Sequence, residues 1–258
     1  MQTRYEAVIN GVLLSSLDDR IIVTDIREHE PETRVSAAER PVNAGSFLVR
    51  NKRKSLSVTV AFVLWERDPA QRRALLDQVT AWAAGELLWL GVNQRPGQYL
   101  IVRLDKPPVV PSAMRWMDEI TITFTAIEFP FWRDVEFSQI TTGYGENGSL
   151  YVPGTADAPV SVEVTNTDTE ALTTVYLYVR DTQMIFTGLN LQPGETLMIG
   201  YSDRNLLYAK IGGTSVLDKR YADSDDDLVL TCGYHTGVRA VADVASISIV
   251  FKAQGVYA

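Results

Sequence analysis

Residues Ser55–Gly85 read SLSVTVAFVLWERDPAQRRALLDQVTAWAAG, and the two halves of this stretch follow different periods. Up to Leu64 the pattern alternates. Leu56, Val58, Val60, Phe62 and Leu64 share one face, while Ser55, Ser57 and Thr59 begin the other, which predicts a strand with one buried side. From Asp68 the period lengthens. Asp68 suits the N-cap, and Pro69 sits at the first helical position, where its missing N–H costs nothing. Leu75, Leu76, Val79, Trp82 and Ala83 then form one apolar stripe, so a helix is expected over about 69–84, with Gly85 as its stop. Trp82, inside that stripe, reads as core packing.

Working outward, the flanking segments are β-rich and punctuated by turns. Asn10-Gly11 in YEAVINGVLLSSL marks a tight hairpin, because both residues tolerate positive φ. DRIIVTDIRE places Ile21, Val23 and Asp25 on one face and Ile22, Thr24 and Ile26 on the other. ERPVNAGSFLV has the Pro and Gly of a loop entering a strand. Further strands are expected in ELLWLGV, GQYLIVRLD and the long MRWMDEITITFTAIEFPFW.

Beyond Trp132 the texture changes. GYGENGSLYVPGTADAPVSVEV is rich in Gly, Asn and Pro and reads as a linker or lead-in strand. Short β-rich runs follow, namely VSVEVTNT, TTVYLYVRD, MIFTGL, ETLMIGY, LLYAKIG, DLVLTCGY and VASISIVFKA, with no helical periodicity. Such spacing between turns predicts an all-β sandwich. All five Trp residues (65, 82, 89, 116 and 132) precede this point, and nine of the eleven Tyr follow it. Two domains are therefore expected, 1–133 and 134–258.

Charge divides at the same place. Residues 1–133 hold 17 Lys+Arg and 16 Asp+Glu, net +1, and residues 134–258 hold 7 and 16, net −9, which sum to the −8 of the 258-residue chain. An acidic second half repels phosphate backbones, which argues against sequence-specific nucleic-acid binding. No run approaches 18 apolar residues and MQTRYEAVING lacks the pattern of a secretory signal, so a protein made in the cytoplasm, with no membrane partner, is expected.

The chemical inventory is thin. The lone Cys232 excludes an intramolecular disulfide and a Cys-based zinc site, and is expected to be a buried small apolar side chain. His29 and His235 both sit in polar, turn-like contexts, where solvated loop histidines are expected. No nucleophile elbow, Walker loop or dinucleotide fingerprint occurs, so no enzyme, cofactor or metal site is expected. Asp223–Asp227 (DSDDD) fails the calcium-loop spacing, since Leu228 and Tyr234 stand where Gly and an acid are needed, and reads as a solvated acidic loop. Tyr176 and Tyr178 alternate on one strand, and Tyr201 and Tyr208 border turns. These rings could stack on sugars, although half-buried core roles fit better.

One cluster stands apart. Arg50, Lys52, Arg53 and Lys54 put four cations into five positions of an acidic protein. Lying between SFLV and SLSVTVAFVLW, they read as a hairpin tip or long β-arm, held in solvent as candidate assembly contacts.

The order of these features resembles the distal tail (Dit) proteins of siphophages, the long-tailed non-contractile phages, and their prophages. The likeness is carried by VNAGSFLVRNKRKSLSVTVAFVLWERDPAQRRALLDQVTAWAAG, then ELLWLGVNQRPGQYLIVRLDKPPVV, then EFPFW, and by Gly154-Thr155 and Ala158-Pro159 in VPGTADAPVSVEV. The resemblance implies a β-sandwich or split-barrel N-terminal domain with one flanking α-helix and a galectin-like C-terminal β-sandwich. It also implies a structural virion protein, assembled in the host cytoplasm and located at the tail tip. In that family six copies form a ring joining the tail tube to the tip or baseplate, with tape-measure and receptor-binding proteins as partners and the genome passing through the lumen. A carbohydrate-binding module in the second domain, or another tube or upper-tail component, is the alternative.

Overall fold

The structure is a computed structural model that describes residues 5–29, 33–39, 46–53, 55–109, 117–127 and 131–257. It is mainly β, 59% strand against 9% helix, as the alternating segments require. The chain divides into two compact units, Met1–Phe131 and Trp132–Ala258.

In the first unit the strands are β1 (Ala7–Ile9), β2 (Val12–Leu13), β3 (Ile21–His29), β4 (Thr33–Glu39), β5 (Ser46–Arg53) and β6 (Ser57–Leu64). Helix α1 (Pro69–Trp82) follows, then β7 (Leu88–Val92), β8 (Gln98–Val109) and β9 (Ile120–Ala126). Antiparallel pairing gives the order β3-β6-β9-β8-β7-β1-β2, while β4 and β5 form a separate two-stranded sheet. Asn10 (φ 51°) and Gly11 (φ 83°) make the expected tight turn between β1 and β2.

Leu56, Val58, Val60, Phe62 and Leu64 are all buried as the alternation predicts, and Val58, Val60 and Phe62 oppose Phe124, Ile122 and Ile120 of β9. Ala61 and Val63 are buried as well, so the second half of β6 is covered on both faces. The helix begins as expected, with the Asp68 carboxylate accepting from the Ala70 N–H at 3.0 Å. Leu75, Leu76, Val79 and Ala83 are buried. Trp82 is half-buried, edge-on to Phe124 with centroids 6.2 Å apart, and its indole N–H donates to the Val12 carbonyl at 2.9 Å. The helix ends two residues early. Ala83 is the C-cap, with Ala84 N–H tightening onto the Ala81 carbonyl, so Gly85 lies past the stop rather than making it.

Strand β3 corrects the simple alternation. Thr24 is an extra residue between the pairs Val23↔Phe62 and Asp25↔Ala61. This bulge moves Ile26 into the buried set with Ile21 and Val23 and turns Asp25 outward, to an ion pair with Arg27 at 2.6 Å. A carboxylate in the core would have been far costlier than one irregular residue.

In the second unit, β10 (Trp132–Gly143), β11 (Gly148–Val152), β12 (Ala158–Asn166), β13 (Leu172–Val179) and β14 (Thr182–Leu191) come first. After them come β15 (Thr196–Tyr201), β16 (Leu207–Ile211), β17 (Thr214–Ser215), β18 (Val229–Leu230), β19 (Gly233–Ala242) and β20 (Ile247–Tyr257). One sheet runs β17-β16-β15-β12-β20-β10 with β18 on the start of β12, and the other runs β11-β19-β13-β14. Val160, Val162, Val164, Ile249 and Phe251 of the first sheet and Val175, Leu177, Phe186 and Val238 of the second are fully buried.

The Gly154-Thr155 and Ala158-Pro159 positions have physical causes. Gly154 (φ +113°) crosses β20 so closely that a Cβ would lie 2.1 Å from the Val256 carbonyl oxygen. That same carbonyl accepts the Thr155 and Ala156 N–H groups at 2.8 and 3.1 Å. Ala158 is fully buried and opposes Leu230.

At one end of this unit two loops are stapled in both directions. Asp168 accepts the N–H groups of Ala245 and Ser246 at 2.8 and 3.0 Å, and Asp243 accepts both the N–H and hydroxyl of Thr173. The backbone N–H of Thr169, with those of Ala245, Glu170 and Ser246, outweighs desolvation and holds the Asp168 carboxyl below its usual range. Burial raises Asp243, but the Thr173 hydroxyl and nearby N–H groups outweigh it and the net shift is downward.

Gly154→Ala should cost about 2 kcal/mol or more in urea unfolding, through strain plus collision with backbone. Gly194→Ala is the control, also at positive φ (+82°) but with open space around it, and should cost about 1 kcal/mol. Depressed carboxylates stabilise the fold above their unfolded pKa of about 4, and this contribution is lost as pH falls through their lowered folded values. The Tm should therefore hold from neutral pH to about 5 and drop below about 4. Asp168→Asn and Asp243→Asn should each flatten that drop in thermal scans.

Candidate functional site

No cluster of three or more His, Cys, Asp or Glu able to hold a metal occurs among the described residues.

The basic cluster lies in β5. Arg50 opposes Ser36, Lys52 opposes Arg34 and Arg53 opposes Thr33, while Lys54 lies outside the described residues. The cations therefore occupy the base half of a β-arm rather than the tip of a hairpin, because pairing with β4 continues through Arg53. Arg34, on the facing strand, is a fifth cation of this region that the local sequence run did not reveal. Toward the other end the paired residues are Ala37↔Leu48 and Ala38↔Phe47. Among the described residues β4 and β5 pair only with each other, and an isolated two-stranded hairpin is marginal in water.

Elsewhere in the first unit the polar groups serve structure. The Arg20 guanidinium reaches Asp18 at 2.8 Å, Glu66 at 2.5 Å and the Gln71 carbonyl at 2.8 Å. Hydrogen bonds from Arg20 hold Asp18 well below the carboxylate range. His29 ends β3, exposed, with Nε2 3.1 Å from the Thr59 hydroxyl.

Several sequence expectations in the second unit change. Cys232 is exposed, because β18 stops at Leu230 and the chain turns at Thr231-Cys232 before β19. His235 is 7% exposed, not a solvated loop residue. It points inward from β19, with Nε2 2.6 Å from the Thr231 carbonyl across that turn. Strand β19 itself escaped the sequence reading, since Gly233, His235 and Gly237 interrupt its apolar pattern.

The DSDDD loop is built onto the edge of β14. Tyr221 and Asp225 donate N–H groups to the Ile185 and Gln183 carbonyls at 2.8 and 2.9 Å. In return the Gln183 and Ile185 N–H groups are accepted by the Asp225 carboxylate at 2.6 Å and the Ser224 hydroxyl at 2.9 Å. Asp226 pairs with Arg220 at 2.8 Å. Together these side chains and backbone groups complete the hydrogen bonding of an otherwise open strand edge.

The tyrosines separate into two classes. Tyr201 is anchored, accepting the Leu228 N–H at 2.7 Å, and burial pushes its hydroxyl up to about 12. Tyr208 lies across Gly200, where a Cβ would meet its hydroxyl at 2.8 Å, and Lys210 sits 5.1 Å above its ring. By contrast Tyr176 and Tyr178 are half-buried on the outer face of the four-stranded sheet, not in the core, with Arg239 over Tyr178 at 4.7 Å. On that same face Tyr151 (46% exposed) and Tyr234 (80%) meet with centroids 5.0 Å apart, a pair formed across β11 and β19.

No protein-family model matches the chain, and no curated protein matches its sequence. Solved structures do match. The SPP1 Dit (gp 19.1) protein, a hub adsorption apparatus protein of phages infecting Gram-positive bacteria, superposes with a TM-score of 0.74 over 97% of this chain and 98% of its own, at 10% identity. The chain has the Dit fold. Chains of the phage P2 baseplate in its activated conformation are also similar. The calcium form gives a TM-score of 0.56 at 8% identity over 97% of this chain and 98% of that one. The strontium form gives 0.52 at 7% identity over 97% of each. Because nearly the whole of each chain is covered, both units take part in the Dit likeness.

Asp225→Ala should unblock the β14 edge at Gln183. Greater self-association on warming, read as light scattering below the unfolding transition, is the expected outcome.

Proposed function

We propose that this chain is the distal tail protein of a siphophage or prophage, a structural component of the tail tip with no catalytic role. The carrying observation is the whole-length likeness to the SPP1 Dit protein, TM-score 0.74 over 97% of the chain.

On this reading residues 1–133 are the ring-forming, tail-tube-like domain and 134–258 a galectin-like sandwich. Six copies form the ring between the tail tube and the tail tip or baseplate. The tape-measure and receptor-binding proteins are partners, and the genome passes through the lumen without being read. Assembly takes place in the host cytoplasm. The excess negative charge of the second domain favours solubility and limits premature stacking.

The β4–β5 arm is the assembly element. Its cations Arg50, Lys52 and Arg53, with Lys54 next in sequence, reach an acidic surface on a neighbouring subunit or ring. Two strand edges unpaired among the described residues, and marginal independent stability, are the properties of a segment that gains its order on docking.

Native mass spectrometry and light scattering test the ring. A six-copy species is expected, and a strict monomer at high concentration, together with failure to join purified tail tubes, overturns it. Replacing Arg50, Lys52, Arg53 and Lys54 together by Ser should weaken assembly in a salt-dependent way. Unchanged assembly would reduce the cluster to a solvated strand.

A further inference from the structure

The outer face of the β11-β19-β13-β14 sheet carries a row of exposed rings and hydroxyls. Tyr151 and Tyr234 are opposite each other on β11 and β19, and Ser149 and Thr236 are the next exposed pair. Beyond them Arg239 opposes Tyr178 and covers its ring.

These groups share a face because of one residue. In β19 Gly148↔Val238 is followed by Ser149↔Thr236, so Gly237 is an extra residue, with φ +87°. Strict alternation from Tyr234 would have sent Arg239 into the core. The bulge resets the phase, and His235, Val238 and Ala240 point inward while Tyr234, Thr236 and Arg239 point outward. Tyr234 and Arg239 then stand roughly 14–17 Å apart at a rise of about 3.4 Å per residue.

We infer that this face binds a short neutral glycan lying along β19. Tyr151 and Tyr234 supply a stacking platform at one end, Thr236 and Ser149 supply hydroxyl partners between, and Arg239, held over the Tyr178 ring, supplies donors at the other. Three observations select that ligand. First, the Tyr234 ring packs on Tyr151 of β11 and is still 80% exposed, so most of its surface stays open to a ligand. Second, the positions beside it carry hydroxyls rather than the aliphatic groups that a desolvated protein contact requires, matching a ligand with one C–H face and hydroxyl edges. Third, the net charge of −9 over residues 134–258 repels polyanions, and Arg239 is the sole formal charge among the named groups.

The rings singled out by sequence spacing are mostly unavailable for this role. Tyr201 is anchored by Leu228, and Tyr208 lies on Gly200 beneath Lys210. The β14 edge is also closed by Ser224 and Asp225, so the sheet is open to a ligand at its face rather than along that edge. The inference does not depend on ring formation.

The test is calorimetric titration of the full chain with purified neutral oligosaccharides of one to six hexose or N-acetylhexosamine units. Binding should strengthen with length over the first few units. Tyr234→Ala should weaken it about five- to tenfold, the worth of one aromatic contact, with Tm unchanged. Tyr208→Phe, on the other sheet, should leave it unaltered. No heat from any oligomer at millimolar concentration overturns the proposal, as does binding indifferent to Tyr234→Ala. Protection of Tyr234 from surface labelling only on self-assembly would instead assign the face to a protein contact and overturn it equally.

Discussion

An antiparallel strand buried on one face must alternate, and a single slip delivers its polar residues to the core. This chain meets that constraint with bulges. Thr24 rescues β3 from burying Asp25, and Gly237 keeps Arg239 out of the core of the second unit. In β10 the register shifts between Arg133 and Phe137, and Asp134 there accepts the Tyr257 hydroxyl at 3.0 Å. In β3 and β19 the bulge disrupts the ladder locally and keeps a charge out of the core, which avoids the larger penalty, whereas at the β10 irregularity Arg133 stays buried, 6% exposed.

The second unit adds a polar lock to this geometry. Asn166 is fully buried at the end of β12, yet its amide N–H groups reach the Glu170 and Leu191 carbonyls at 2.8 and 2.9 Å, and its carbonyl accepts the Asp168 N–H at 3.0 Å. Because Leu191 belongs to β14, this one side chain bonds across the two sheets. A satisfied buried amide specifies one arrangement where apolar packing alone would admit several. The Asp168 and Asp243 staples lie beside it, so one end of the sandwich is held by hydrogen bonds and its middle by apolar packing.

In the second unit the acidic loop covers the β14 edge at Gln183 and Ile185, and the face of the same sheet exposes rings and hydroxyls. The first unit differs in leaving an arm, β4–β5, paired with nothing else among the described residues. On the proposed reading, the covered stretch of β14 limits unplanned association and the β4–β5 arm would supply a directed contact between subunits.

Much of the fold was legible in local pattern. The period of two in Leu56–Leu64, the Asp68-Pro69 helix start and the Asn10-Gly11 turn are governed by contacts within a few residues, and the structure realises all three. The mainly β architecture follows from them. What the chain's neighbours along the sequence cannot encode is which strands oppose one another. That pairing decided that β19 exists despite its glycines, that His235 is buried and Cys232 is not, and that the basic run forms the base of an arm. It also brought Tyr151 and Tyr234, 83 residues apart in number, into one ring contact. Composition and local period determined the elements, because those depend on backbone preference and one-sided burial. Only the tertiary register decided the surfaces, because a shift of one residue exchanges everything a strand hides for everything it shows.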